Sequence, residues 1–334
     1  MKRVVCLLLA AWMIGVAVCT AAAKDRDMTY SLTVDDFSIR DPFVLLDGGL
    51  YYMYGTCATD KPGYGCFVSE DLKHWAGPFN VFTADDGFDG ADNFWAPECH
   101  RYGGAYYLFA TYRSRTTGRR GVSVFRAASP MGPFSEISDG HVTPHGQDCI
   151  DGTLYVEDGR PYMIYVREWT GTDDGVGRMT AAALSDDLSH FIAKPRDLFR
   201  ADDPAWKPRR VTDGPFLYKS RTGKLLMLWS NVSKDGYCVG IAAANRLHGL
   251  WRQQYARLYA KDDKRHELDG GHGMLFKDKD GRLLLCIHSP NGGASAHAVF
   301  LPVRDLGYTL ALDERPTLQT ALLRALDRLT ALLS

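Results

Sequence analysis

Four acids and one histidine recur at comparable places in this 334-residue chain: Asp41, Glu98, Asp151, Asp213 and His272. If they share one pocket, they cannot all ionise cheaply, so at least one carboxyl keeps its proton near neutral pH while others stay charged. A protonated and an ionised carboxyl in one cleft are the ingredients of general acid–base chemistry. The same acids also read as ordinary strand-end groups, bonded to backbone amides or paired with Arg40, Arg113 or Arg167. What decides between the two is whether the elements that carry them converge.

Each of the five stands at or near the head of a similar stretch, at 41–52, 96–107, 151–162, 213–226 and 272–284. An apolar or aromatic run meets a Gly-containing turn and a second apolar run follows, which is the pattern of a β-hairpin. The stretches start roughly 55 to 62 residues apart, too far for one hairpin and right for a four-stranded sheet with its loops. Five such sheets arranged radially predict an all-β, five-bladed β-propeller over residues 24–315. If the quoted strand is innermost in every blade, all five openings converge at one mouth of the central channel. The third hairpin turns at Asp158-Gly159, so its second strand runs back to the level of Asp151 and delivers Glu168 to the same mouth. Trp95 and Trp169 flank the acids there, as candidate platforms for the apolar face of a sugar ring or as packing between blades.

The openings Ile39-Arg40-Asp41-Pro42, Phe94-Trp95-Ala96-Pro97-Glu98, Cys149-Ile150-Asp151-Gly152-Thr153, Thr212-Asp213-Gly214-Pro215-Phe216-Leu217 and Gly270-Gly271-His272-Gly273 together resemble glycoside hydrolase family 43, in order along nearly the whole chain. The resemblance implies the same propeller and hydrolysis, with inversion, of α-L-arabinofuranosyl, β-xylosyl or galactosyl linkages in plant polysaccharides. It implies Asp41 as the base that activates water and Asp151 as the carboxylate that orients the acid and raises its pKa. The family's acid is a Glu before Gly-Pro, and here that place holds Asp213. An Asp is one methylene shorter, about 1.5 Å, and about 1 Å of misplacement can cost on the order of a hundredfold in rate. The proton donor is therefore Asp213 or Glu168, with Glu98 a further candidate. Glu98, Trp95, Trp169 and His272 are expected to contact substrate, and His272 also reads as lining a channel that could hold water or an ion. The expected activity is an exo-acting α-L-arabinofuranosidase, with β-D-galactofuranosidase, β-xylosidase or β-galactosidase action as alternatives. A carbohydrate-binding propeller without turnover, or a retaining enzyme with its key carboxyls about 5 to 5.5 Å apart, are the rivals.

A formal net charge of -1 gives no electrostatic case for nucleic acid. No phosphate loop or dinucleotide fingerprint is present, and the chemistry requires no cofactor; a structural calcium is compatible with the acidic channel. The expected partner is an oligo- or polysaccharide. At the N-terminus, Lys2 and Arg3 precede an apolar run from Val4 to Val18 and then Ala21-Ala22-Ala23, which predicts a signal peptide over 1–23 and export. The run is too short to span a membrane comfortably. A lipid anchor through Cys19 is the alternative, from the loose match of Val16-Ala17-Val18-Cys19 to a lipoprotein box. Cys57 and Cys66 could close a small disulfide loop, whereas Cys99, Cys149 and Cys286 lie in apolar runs and read as buried thiols. Residues 316–334 place Leu318, Leu322, Leu326, Leu329 and Leu333 at helical spacing and predict an amphipathic C-terminal helix.

Overall fold

The computed structural model describes residues 28–313, apart from 207, 263–264 and 293–294. They form five four-stranded sheets, each an antiparallel meander in which consecutive strands pair. The inner strands are Arg40–Asp47, Gly90–Tyr102, Cys149–Glu157, Asp213–Lys219 and Gly271–Lys277. Each inner strand packs on the inner strands of the two adjoining blades, so the ring closes as a five-bladed propeller. Among the described residues the only helical element is the short turn Trp169–Gly171, and no helix is long and apolar enough to cross a membrane. The predicted signal segment, the Cys19 anchor site and the predicted C-terminal helix lie outside the described residues.

The second strand of each blade is covered on both faces by the adjoining blades, which is why it reads as a continuous apolar run rather than an alternating one. Leu225–Ser233 is the clearest case, with eight of its nine residues buried. The expected turn of the third hairpin is present: Asp158 and Gly159 both have positive φ, as a two-residue hairpin turn requires. Among the described residues no strand is shared between the first and last blades. Instead, the segment ahead of the first blade crosses the seam, with Ile39 N–H donating to Ala296 O and His297 Nδ1 lying 2.9 Å from Val34 O.

At the mouth every inner strand carries an opening residue in the left-handed region, Asp41, Ala96, Asp151, Gly214 and His272, with φ of 53°, 42°, 55°, 50° and 51°, although the second strand begins earlier, at Gly90. The ladder to the second strand slips at the same place in all five blades, which makes each opening a β-bulge. This register differs in one blade from the one that the sequence repeats suggest: Asp213 stands one residue before its bulge, because Gly214 occupies the equivalent place. In the second blade Ala96 takes that place, as the repeat at 96–107 implies, and Glu98 stands two residues after it.

Cys57 and Cys66 are not joined to each other by a disulfide, which corrects the suggested loop. Adjacent strand residues point to opposite faces. Cys57 Sγ packs where a side chain on Gly65 would sit, while Cys66, the next residue, points into the core and is fully buried.

Candidate active site

The bulges gather Asp41, Asp151, Asp213 and His272 around a cavity of about 320 Å³ at the channel mouth, and Glu168, Trp95, Trp169 and Tyr237 complete its wall. A larger hollow of about 420 Å³ lies on the outer edge of the fourth blade, by Lys224, Asn245 and Arg246. Its lining holds no carboxylate, so the chemistry belongs to the mouth.

His272 sits between two carboxylates, its Nδ1 3.1 Å from Asp41 Oδ1 and 3.8 Å from Asp151 Oδ2. Burial opposes its charge, but Asp41 and then Asp151 outweigh burial and raise its pKa to about 10, so it is an imidazolium at neutral pH. Burial likewise works to raise Asp41, and His272, with smaller help from His288 and Arg40, overrides it and holds this carboxyl well below the usual range. Thr56 Oγ1 donates to Asp41 Oδ2 at 2.7 Å. His288 is fully buried, and burial lowers its pKa to about 4. It is therefore neutral, and its Nδ1 accepts the Asp41 N–H at 3.0 Å.

The other two acids move the opposite way. Burial first, and then the charges of Asp41 and Glu98, raise Asp151 to about 6 against the pull of His272 and of the Gly214 N–H, which donates to its Oδ2 at 3.0 Å. Burial and the charge of Asp151 push Asp213 up to about 8, although Tyr237 donates its hydroxyl to Asp213 Oδ2 at 2.9 Å. Asp41 is thus the acid held most firmly in its charged form, and Asp213 the one most disposed to keep its proton. Two titratable groups pushed apart by their surroundings make an acid–base pair.

Glu168 lines the same cavity, but Arg120 Nη2 lies 2.6 Å from its Oε2. Burial raises the pKa of Glu168 and the Arg120 charge works against that rise. The Arg120 guanidinium also sits 5.7 Å from the centre of a Trp95 ring. Among the described residues no group of three or more His, Cys, Asp or Glu side chains is arranged to hold a metal ion.

A sequence model of the glycosyl hydrolases family 43 matches residues 33–305. The chain belongs to that family. Family 43 comprises enzymes that hydrolyse glycosidic bonds. The chain is 35% identical to a solved endo-arabinase from Bacteroides thetaiotaomicron VPI-5482, with a TM-score of 0.74 over 83% of this chain and 98% of that one. A solved endo-1,4-beta-xylanase from the same organism gives 26% identity and a TM-score of 0.71 over 85% of this chain and 96% of that one. The extracellular exo-alpha-(1->5)-L-arabinofuranosidase of Streptomyces chartreusis is 26% identical over 214 residues, which span 60% of this chain and 64% of that protein.

Of the site residues expected in this family-43 chain, seven line the mouth: Asp41, Asp151, Asp213, Glu168, Trp95, Trp169 and His272. Glu98 does not. It is buried, away from the cavity lining, with its Oε2 3.2 Å from His100 Nε2. Two of the arginines weighed as partners go elsewhere, Arg113 to Asp92 and Arg167 to Asp197, whereas Arg40 lines the cavity, bonds Asn291 and adds its charge to the field that lowers Asp41. Sequence reasoning missed Tyr237, which enters from a third strand, Gly236–Ala244, rather than from a strand opening. The turn at Lys234-Asp235 was its one signal, since a turn between second and third strands returns the chain to the mouth.

Proposed function

We propose that this protein is an exported, inverting glycoside hydrolase that removes terminal α-L-arabinofuranosyl units from plant polysaccharides. Asp41, the acid held ionised, takes a proton from water as the water attacks the anomeric carbon. Asp213, the acid held protonated, gives its proton to the leaving oxygen. Asp151 keeps the proton on Asp213 through its charge and steadies the peptide next to it. What carries this reading is the placement of Asp41 against His272 and of Asp213, buried beside Asp151, across one cavity, which drives their pKa values in opposite directions. Asp213 is preferred to Glu168 as donor because Glu168 already faces the Arg120 guanidinium, which favours its charged form. Trp95 and Trp169, half-buried in the wall, would stack on the sugar.

The names of the Streptomyces and Bacteroides relatives support arabinofuranosyl linkages, and the former, called extracellular, agrees with export. Attack within an arabinan chain is the second reading, favoured by the 35% identity to an endo-arabinase. Time-resolved proton NMR of hydrolysis, run on aryl α-L-arabinofuranoside, β-D-galactofuranoside, β-D-xyloside and β-D-galactoside and on linear arabinan, tests all of this. The expected result is arabinose released first in the inverted anomeric form, from the aryl arabinofuranoside and from arabinan alike. Early arabino-oligosaccharides would support internal attack; a retained anomer, or silence across the panel, would overturn the proposal.

A further inference from the structure

The propeller carries a five-fold hydrogen-bond motif that is broken once, beside the acids. In four blades the N–H of the left-handed opening residue donates to a side chain on the second strand of the preceding blade. Ala96 N–H reaches Thr56 Oγ1 at 2.8 Å, Asp151 N–H reaches Thr111 Oγ1 at 3.1 Å, His272 N–H reaches Ser230 Oγ at 2.7 Å, and Asp41 N–H reaches His288 Nδ1 at 3.0 Å. These four acceptors share one register, opposite Arg40, Trp95, Asp213 and Gly271. In the third blade the residue at that register, opposite Ile150, is Val166, which is fully buried and has no acceptor to offer. The orphaned donor is the N–H of Gly214, and a buried N–H must find a partner. Its partner is Asp151 Oδ2, at 3.0 Å.

We propose that Val166 is a positioning residue: by withholding an acceptor where every other blade supplies one, it leaves the Gly214 N–H to the Asp151 carboxylate and so ties Asp151 to the peptide that carries Asp213. A charge-assisted bond of this kind is stronger than one to a neutral hydroxyl and fixes the geometry more tightly. It ties a shortened acid to the carboxylate that keeps it protonated. The effect on rate rests on the proposed roles of Asp151 and Asp213; the bond itself does not.

The test is therefore read first without turnover. In the full-length mature protein, the Gly214 amide proton is followed by NMR as pH crosses the titration of Asp151, and it is expected to move with that carboxyl. Val166→Thr, which supplies the hydroxyl that the first two blades have, is expected to uncouple the two signals. It should also lower kcat about tenfold, through loosened placement of Asp213, with KM nearly unchanged. Val166→Ala adds no acceptor and should keep the coupling. A wild-type Gly214 proton indifferent to Asp151, coupling that survives in Val166→Thr, or coupling lost in Val166→Ala would each overturn the proposal. Should Val166→Thr not fold, the wild-type titration and Val166→Ala still decide. A protein that hydrolyses nothing, yet shows the coupling, would sink the proposed function and leave this inference standing.

Discussion

The Tyr237 hydroxyl stabilises the charged form of Asp213, so it lowers a pKa that burial and Asp151 raise. Removing it in Tyr237→Phe takes away a stabiliser of the ionised acid, and the pKa must move further up. The expected outcome is a basic limb of the pH–rate profile displaced to higher pH by on the order of one pH unit, with a lower kcat from looser placement; a limb that stays still or moves down would show that Tyr237 does not act on Asp213. The acids themselves were legible in the sequence, because Asp41, Asp151 and Asp213 each announce a repeated strand. Tyr237 and Val166 were not, since they belong to third and second strands, whose apolar runs carry no mark of which end faces the mouth. The opposed protonation was legible only as a necessity of crowding. Which acid would hold the proton depended on where His272 lies, between Asp41 and Asp151 rather than beside Asp213.

At the scale of the strand, the bulge is the device that aims the acids. A left-handed residue followed by a slipped ladder turns the opening side chain toward the channel, and non-glycine residues hold this conformation at a cost of about 1–3 kcal/mol each. Gly214 has a second reason to be glycine, because a Cβ there would lie 2.7 Å from the His272 ring. Gly214→Ala is expected to displace that ring, to lower stability by at least about 2 kcal/mol, and to lower kcat with it. Thermal unfolding and initial rates check this, and an unchanged melting temperature with full activity would contradict the placement of the ring. The hairpins and their turns were readable from alternating runs and glycine-containing turns. The bulge was not readable, and it moved Asp213 out of the register that the repeats implied. Sequence spacing counts residues, whereas a bulge inserts one without any change of pattern.

Among the described residues no strand is shared across the seam, so the first and last blades are joined by the packing of Arg40–Asp47 on Gly271–Lys277 and by the bonds from the segment Val34 to Ile39 to Ala296 and His297. Five repeats at near-constant spacing made the fold legible, because radial sheets are the arrangement that buries each blade's two faces against its neighbours. The choice of glycone was not legible, since arabinofuranose and galactofuranose differ by one hydroxymethyl group and a difference of that size supports only modest discrimination. The convergence of blades also makes the mouth a single electrostatic unit: four of the five inner strands bring three acids and an imidazolium close enough that each sets the protonation of the others.

The most direct test of that unit is the pH dependence of kcat/KM for the wild type and Asp213→Asn on an arabino-oligosaccharide, which needs a proton at its leaving oxygen. The wild type should rise as Asp151 ionises near 6, with Asp41 already charged, and fall as Asp213 loses its proton near 8. Asp213→Asn should lose that basic limb together with about 10²- to 10⁴-fold in rate. An Asp213→Asn enzyme that keeps the wild-type rate and limb, beside a Glu168→Gln enzyme that loses both, would contradict the account and move the donor to Glu168.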